Sequence, residues 1–396
     1  MLQFQNNKDS KMKIIITCFF IYILTNMTGC ATSPQGATTY KGAPKHVQPH
    51  LDVLPLHSTY NISQKLDNST ESKLNQKIDE LFTKNDIAGI TATALIPEKG
   101  MWETTRGFIS KQDNIVVDDT TVFYWASVGK LINSTIIHQL IQEGKLSFDD
   151  KLSKWFPNIQ NAKKITIEQL LTHTNGIYSF NADPNLHASN ESFSPEELLE
   201  IAKSHNNLFE SGKYWSYTNT GYLLLSLIIE KIEFNTFAQV VKDRITEPLN
   251  LKTLRTATKD DPNLALAHKK DLVIRKDYSS LLGAGGFVSN SKDMATFLST
   301  LLTGKIIPIK EVYDMMKDLY PMFGGNHQYY GKGIMLYDFN AIDQTNNVWI
   351  GHSGGTENYK AILVYDTKSK VIIAISINEN IPAETVAYKL MEIINN

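Results

Sequence analysis

Cysteine is nearly absent from this 396-residue chain. Cys18 and Cys30 are the only two, both near the N-terminus, so no disulfide framework holds the body together. An excess of one charge is missing too. Lys and Arg number 39 against 41 Asp and Glu, for a formal charge of −2, and no Lys/Arg run of useful length occurs. That balance argues against nucleic acid as a partner. Neither a His-Glu-x-x-His pattern nor a Cys cluster is present, so no metal or other cofactor is expected. No internal repeat is evident. Long apolar stretches are scarce: the run Ile14 to Leu24 is too short to span a bilayer. What remains, 42% hydrophobic and 20% charged, is the composition of a globular protein with ample material for a core.

The short apolar run follows Lys8, Lys11 and Lys13, the layout of an export signal, with Met12 as an alternative start. Next comes Leu24-Thr-Asn-Met27-Thr28-Gly29-Cys30, which resembles a bacterial lipobox, although Met27 stands where Leu is usual. Residues 1–29 are therefore expected to be a lipoprotein signal peptide, with Cys30 lipidated. Residues 30–70, rich in Thr, Ser, Pro, Gln, Asn and Gly, are expected to be a flexible tether, and 71–396 the folded domain. The competing reading is an ordinary signal peptide with an incidental Cys. The expected location is the bacterial cell envelope, with the protein held at the membrane through Cys30 and facing the periplasm or extracytoplasmic side.

Within the body, Leu74, Ile78, Leu81 and Phe82 give 71–84 one apolar helical face. Residues 87–96 and 101–109 read as strands of a hairpin turning at Pro97-Glu-Lys-Gly100. Helices are expected at 166–171, 195–204 and 221–246, the last interrupted near Glu233, with a loop at 149–157. Ser291, as N-cap, opens another helix through Leu302. Strands are expected at 348–350, 360–365 and 371–377, with a turn at 366–369, and a closing helix at 383–394. The simplest architecture is α+β: one antiparallel sheet built from both ends of the chain, flanked by the terminal helices, with a mostly helical region inserted.

The chemistry concentrates at Phe123-Tyr-Trp-Ala-Ser127-Val-Gly-Lys130, an extended segment running into a helix. Val128, Leu131, Ile132, Ile136, Ile137, Leu140 and Ile141 repeat at helical spacing, and Gly144 stands where that helix stops. Ser127 and Lys130, at i and i+3, share a face of its first turn, where free N–H groups suit a developing oxyanion. Ser-x-x-Lys alone is weak, because Ser289-Asn-Ser-Lys292 repeats it in what reads as a helix-capping segment. Only the first copy is followed by both Tyr217-Thr-Asn219, the one Tyr-x-Asn among seventeen tyrosines, and His352-Ser-Gly354, the one His-x-Gly among ten histidines.

The order Ser127-x-x-Lys130, Tyr217-x-Asn219, His352-x-Gly354 resembles the serine β-lactamase and penicillin-binding protein family, in its class C, D,D-peptidase and esterase branch. Glu143–Leu146, Ile167–Gly176, Pro248–Leu251, Gly283–Phe287 and Gly351–Gly355 agree with it in the same order. The resemblance implies a β-lactamase/D,D-peptidase-like fold and an acyl-enzyme on Ser127, with Lys130 or Tyr217 as base. It also implies an oxyanion hole from the N–H groups of Ser127 and Gly355, and a substrate amide held by Asn219. His352, Ser353, Gly354 and Gly355 would line the substrate site. His352 replaces the usual Lys of Lys-Thr-Gly, and a neutral imidazole attracts a substrate carboxylate less than an ammonium does. The implied substrates are peptidoglycan-derived D-alanyl peptides or small carboxylic esters. β-Lactam hydrolysis is the alternative, and a slowly acylating penicillin- or peptidoglycan-binding protein the alternative of another class. A monomer is expected.

Gly351-His-Ser353-Gly-Gly355 also matches the Gly-x-Ser-x-Gly elbow of α/β-hydrolases. That fold requires a His after the Ser, and none follows position 352. His173 reads as a structural hydrogen-bonding residue beyond a helix end. Trp215 and Tyr222 read equally as core or as cleft lining, and Lys163-Lys164 and Lys269-Lys270 as solvated surface.

Overall fold

The computed structural model describes residues 45–188, 191–261, 263–340 and 347–395. The expected signal peptide and the expected lipidation site, Cys30, lie outside them. Among the described residues the centre is a nine-stranded antiparallel sheet in the order β3-β2-β1-β14-β13-β12-β11-β10-β9. Helix α1 (Asn68–Asn85) leads into β1 (Gly89–Ile96), β2 (Gly100–Ser110) and the short β3 (Ile115–Val116). β9 (Tyr320–Pro321), β10 (Gln328–Tyr330), β11 (Met335–Asp338), β12 (Val348–Gly355), β13 (Lys360–Asp366) and β14 (Ile372–Ile377) complete the sheet. β14 returns to pair with β1, Ile90 opposite Ile377, so the two ends of the chain meet at the middle of the sheet. Every residue of β1, β13 and β14 is buried, as expected of strands covered on both faces.

Between β3 and β9 lies the helical region: α2 (Gly129–Gln142), α3 (Ile167–Leu171), α4 (Pro195–Lys203), α5 (Asn219–Glu233) and α6 (Ser291–Leu302). α7 (Ala383–Ile394) closes the chain and packs on α1, β13 and β14. A three-stranded sheet, with β8 (Phe287–Ser289) between β4 (Phe123–Tyr124) and β5 (Arg255–Thr256), ties the start of the helical region to its end, while β6 (Ala267–Lys269) and β7 (Leu272–Ile274) pair with each other. Side chains alternate across the large sheet. Thr91 and Thr93 of β1 both bond Ser291 Oγ of α6, at 2.8 and 2.7 Å, on the face toward the helical region. Following the register across β14 and β13, that face carries the even-numbered residues of β12, including His352 and Gly354.

Two local expectations change. Ser291 is the first residue of α6 rather than its cap. Asn290 caps it by accepting from Asp293 N–H, because the Ser291 hydroxyl is already taken by β1. The described part of the expected tether, 45–70, is not free chain. His46 bridges Leu319, Tyr365 donates to the Val53 carbonyl, Tyr60 donates to the Lys370 carbonyl, and Leu54 and Leu66 are buried. Anchors that far apart in sequence produce no local periodicity.

Candidate active site

The strand-to-helix segment that carries Ser127 is shaped by its neighbours. β4 pairs with β8, and Trp125 N–H donates to the Phe287 carbonyl at 3.0 Å. A 3-10 turn, Ala126–Val128, then feeds α2, with Ala126 in the left-handed region at φ 47°. Such a backbone is costly for alanine and persists only where the surroundings enforce it. Gly129 is required for a different reason. A Cβ there would sit 2.2 Å from the Phe287 ring.

Ser127 and Lys130 meet as their spacing predicts, with Lys130 Nζ 3.1 Å from Ser127 Oγ. The lysine is fully buried, 2.7 Å from Asn219 Oδ1 and in contact with the Ala284 carbonyl. Among the described residues no carboxylate touches it, and burial holds its pKa well below the ordinary lysine range. Tyr217 hydrogen-bonds Ser127, and its burial pushes the phenol's pKa upward. Its ring centroid lies 5.0 Å from Lys130 Nζ. Asn219 opens α5 and is held by a closed loop of bonds. Its N–H donates to Ser179 Oγ, which donates to Asn181 Oδ1, which also accepts from Asn219 Nδ2. This loop leaves the Asn219 oxygen for the lysine.

His352 lies on the face of β12 turned toward the helical region but is only 1% exposed. Its Nδ1 bonds the Ser353 carbonyl, an obligate acceptor, so Nδ1 carries the proton. Nε2 is left without a proton, 3.1 Å from Tyr330 Oη. Burial first, and Lys130 second, lower its pKa to about 3. The imidazole is neutral and buried.

Ser353 departs from expectation. It lies on the opposite face of β12, with Oγ 3.9 Å from Met335 Sδ and in hydrogen-bond contact with Tyr337 and Glu384. Strand alternation sends it away from Ser127, so its side chain does not line the site. Its mid-strand position also excludes the nucleophile elbow, which needs a strand-to-helix turn.

Gly354 and Gly355 sit as the motif requires. A Cβ on Gly354 would lie 2.4 Å from the Trp125 carbonyl and 2.9 Å from Ser127 N, so only glycine lets β12 approach the helix start this closely. The bond from Thr356 N–H to the Tyr359 carbonyl fixes the alternation of backbone groups along β12. It turns the Gly355 N–H away from β13, toward an edge that β11 covers only as far as Gly351. The Gly355 N–H is thus free of the β13 ladder, next to the glycine that approaches Ser127 N.

Some functional neighbours had no usable sequence signal. Tyr330 carried none, and Ala284 was visible only as part of Gly283–Phe287. His173 was read as structural, yet its ring lies 4.2 Å from that of Tyr217. Trp215 and Tyr222 are both fully buried, which resolves them as core behind the site.

A family model described as Beta-lactamase matches residues 74–395. A putative penicillin-binding protein PbpX of Bacillus subtilis (strain 168) is 28% identical over 273 residues, 66% of this chain and 65% of that protein. The chain thus spans just under two thirds of that relative's length. A teichoic acid D-alanine hydrolase of Staphylococcus aureus is 21% identical over 395 residues, 94% of this chain and 93% of that one. The solved D-amino acid amidase of Ochrobactrum anthropi SV3, complexed with D-phenylalanine, has a TM-score of 0.74 at 21% identity. That match covers 83% of this chain and 99% of the amidase.

Proposed function

The chain belongs to the beta-lactamase family of hydrolases, and on that premise we propose that Ser127 forms an acyl-enzyme with small D-aminoacyl esters or related D-alanyl substrates. One observation carries this reading. Of the three groups around Lys130 Nζ, Asn219 Oδ1 and the Ala284 carbonyl are obligate acceptors. They occupy the two N–H bonds of a neutral amine and leave its lone pair facing Ser127 Oγ at 3.1 Å.

Lys130 takes the Ser127 proton as Oγ attacks the carbonyl carbon. The oxyanion forms against the N–H groups of Ser127 and Gly355, where one donor is worth roughly 3 kcal/mol. The carbonyl–leaving-group bond breaks, and the leaving group receives the proton from Lys130 through the Tyr217 phenol. Water then attacks the acyl-enzyme ester, passing its proton to Lys130, and the carboxylic acid departs as Ser127 Oγ takes that proton back. Tyr217 serves as a relay rather than the base, because burial keeps it protonated.

The uncharged wall at His352 supports a substrate without a carboxylate at that point, which argues for esters over β-lactams. The relative matched nearly end to end, named a teichoic acid D-alanine hydrolase, supports a D-alanyl ester within that class. The protein is proposed to act from the cell envelope, tethered by lipid on Cys30. Membrane binding that persists unchanged in Cys30→Ala would remove that part.

The test is a fluorophosphonate probe followed by a substrate panel on the full-length protein. The probe adds mass at Ser127, and the adduct is lost in Ser127→Ala. A D-alanyl ester and a p-nitrophenyl ester turn over faster than a D-Ala-D-Ala peptide or a chromogenic cephalosporin. Labelling that survives Ser127→Ala sinks the mechanism. Stoichiometric acylation without turnover would instead establish a slow binding protein.

A further inference from the structure

Tyr217 is held by one residue on both sides. Ser216 N–H donates to the His173 main-chain carbonyl at 3.0 Å. Thr218 N–H donates to the His173 ring at Nδ1, at 3.2 Å. Residues 216 and 218 flank Tyr217 and send their amides to the same side, as alternate residues of extended chain do. A neighbouring strand would meet them with two backbone carbonyls. Here a single residue supplies a carbonyl and a ring nitrogen instead.

His173 reaches both because its own backbone is left-handed, at φ 61°, a conformation uncommon in non-glycine residues but better tolerated by His, Asn and Asp. The ring is fully buried and packs on Tyr217, Tyr330 and Tyr222 at centroid separations of 4.2, 4.4 and 5.2 Å. Because a backbone N–H can only donate, Nδ1 is bare and the proton sits on Nε2. No hydrogen-bond acceptor meets Nε2 among the described residues. A fold does not leave a buried donor unmatched without another constraint on that side chain. The constraint visible here is the acceptor that Nδ1 provides.

Resting on the acyl-transfer reading above, we propose that His173 is a positioning residue that clamps Tyr217 against Ser127 by accepting from both flanking amides. It touches neither substrate nor Ser127. Its effect passes through the placement of the Tyr217 hydroxyl, and a misplacement of about 1 Å at such a group costs as much as 10²-fold in rate.

Two variants of the full-length protein separate the clamp from mere packing. His173→Phe keeps a ring but removes the acceptor. His173→Asn restores an acceptor near the Nδ1 position and tolerates the left-handed backbone. With active sites counted by fluorophosphonate titration, His173→Phe should lower kcat roughly tenfold with KM little changed, and His173→Asn should recover most of it. In a Tyr217→Phe background the His173→Phe change should cost almost nothing, because the group it positions is gone. Equal losses in both backgrounds, or His173→Asn as slow as His173→Phe, would overturn the proposal. If His173→Phe does not fold, a tenfold loss of kcat in His173→Asn would overturn it alone. A wild-type protein that never labels at Ser127 refutes the acyl-transfer reading instead. The clamp is then read by hydrogen exchange at the Thr218 amide, which His173→Phe should accelerate and an unchanged rate would contradict.

Discussion

The chain carries Ser-x-x-Lys twice, and the fold sets the two copies side by side. β4 and β8 pair with Phe123 opposite Ser289, so each copy is a strand running into a helix from the same small sheet. Their outcomes differ completely. In the first, the 3-10 turn Ala126–Val128 draws Ser127 into the helix start, and three residues later Lys130 lies on the same face, buried and 3.1 Å away. In the second, Ser289 is still in the strand and bonds Thr253 Oγ1, while Lys292 is the second residue of α6. Lys292 lies on the surface, 3.6 Å from Glu103. The spacing is the same in both. What distinguishes them is one left-handed alanine and the depth of burial that follows.

The comparison breaks most sharply at the nucleophiles. Ser127→Ala should reduce ester hydrolysis by three orders of magnitude or more, on the order of 10³-fold at least, whereas Ser289→Ala should leave kcat and probe labelling unchanged. The lysines come next. Lys130→Ala removes the base and should cost about 10²- to 10⁴-fold in kcat/KM. Lys292→Ala removes one exposed ion pair, worth about 0–1 kcal/mol of stability in a urea melt, with no kinetic effect. Gly354→Ala tests the approach that only the first copy receives from β12. A methyl group directed at the Trp125 carbonyl and Ser127 N should lower the acylation rate about 10²-fold while the protein remains folded.

A pH effect sharpens the contrast between a buried and an exposed site. The folded protein keeps His352 neutral down to a pKa of about 3, while the unfolded chain binds that proton near pH 6.5. Stability therefore falls as pH drops from 6.5 toward 3, by at most about 1.4 kcal/mol per pH unit from this residue. His352→Gln should flatten that part of the curve in denaturant melts at pH 7 and pH 5. The smallest effect belongs to the second copy. Asn290→Ala removes the cap of α6 and should cost about 1 kcal/mol with catalysis unchanged.

Much of the fold was legible before any tertiary information. α7 has the predicted bounds, Ala383–Ile394, because its apolar residues recur at helical spacing. The β1–β2 hairpin and the strands β13 and β14 were equally clear from their apolar, β-branched runs. The short strands β9 to β11 were not, since two to four residues hold no periodicity to read. At the site, Ser127, Lys130, Tyr217, Asn219 and Gly354 stand out by spacing and Gly355 by the family resemblance, and they converge. Ser353 was named with them and points to the other face. One residue of offset along a strand reverses the side chain, and a motif written as letters does not record the face.

Sequence alone determined which serine stands at a helix start with a lysine one turn on, and which later residues could meet it. Those are matters of order, spacing and local backbone, and they are written along the chain. Tertiary structure alone decided that Lys130 meets no carboxylate among the described residues, that His352 is neutral, that Ser353 faces away, and that residues 45–66 pack against the domain. Each of these depends on residues far apart in sequence arriving at one place. Proton affinity follows burial and neighbouring charge, and the packed fold creates both.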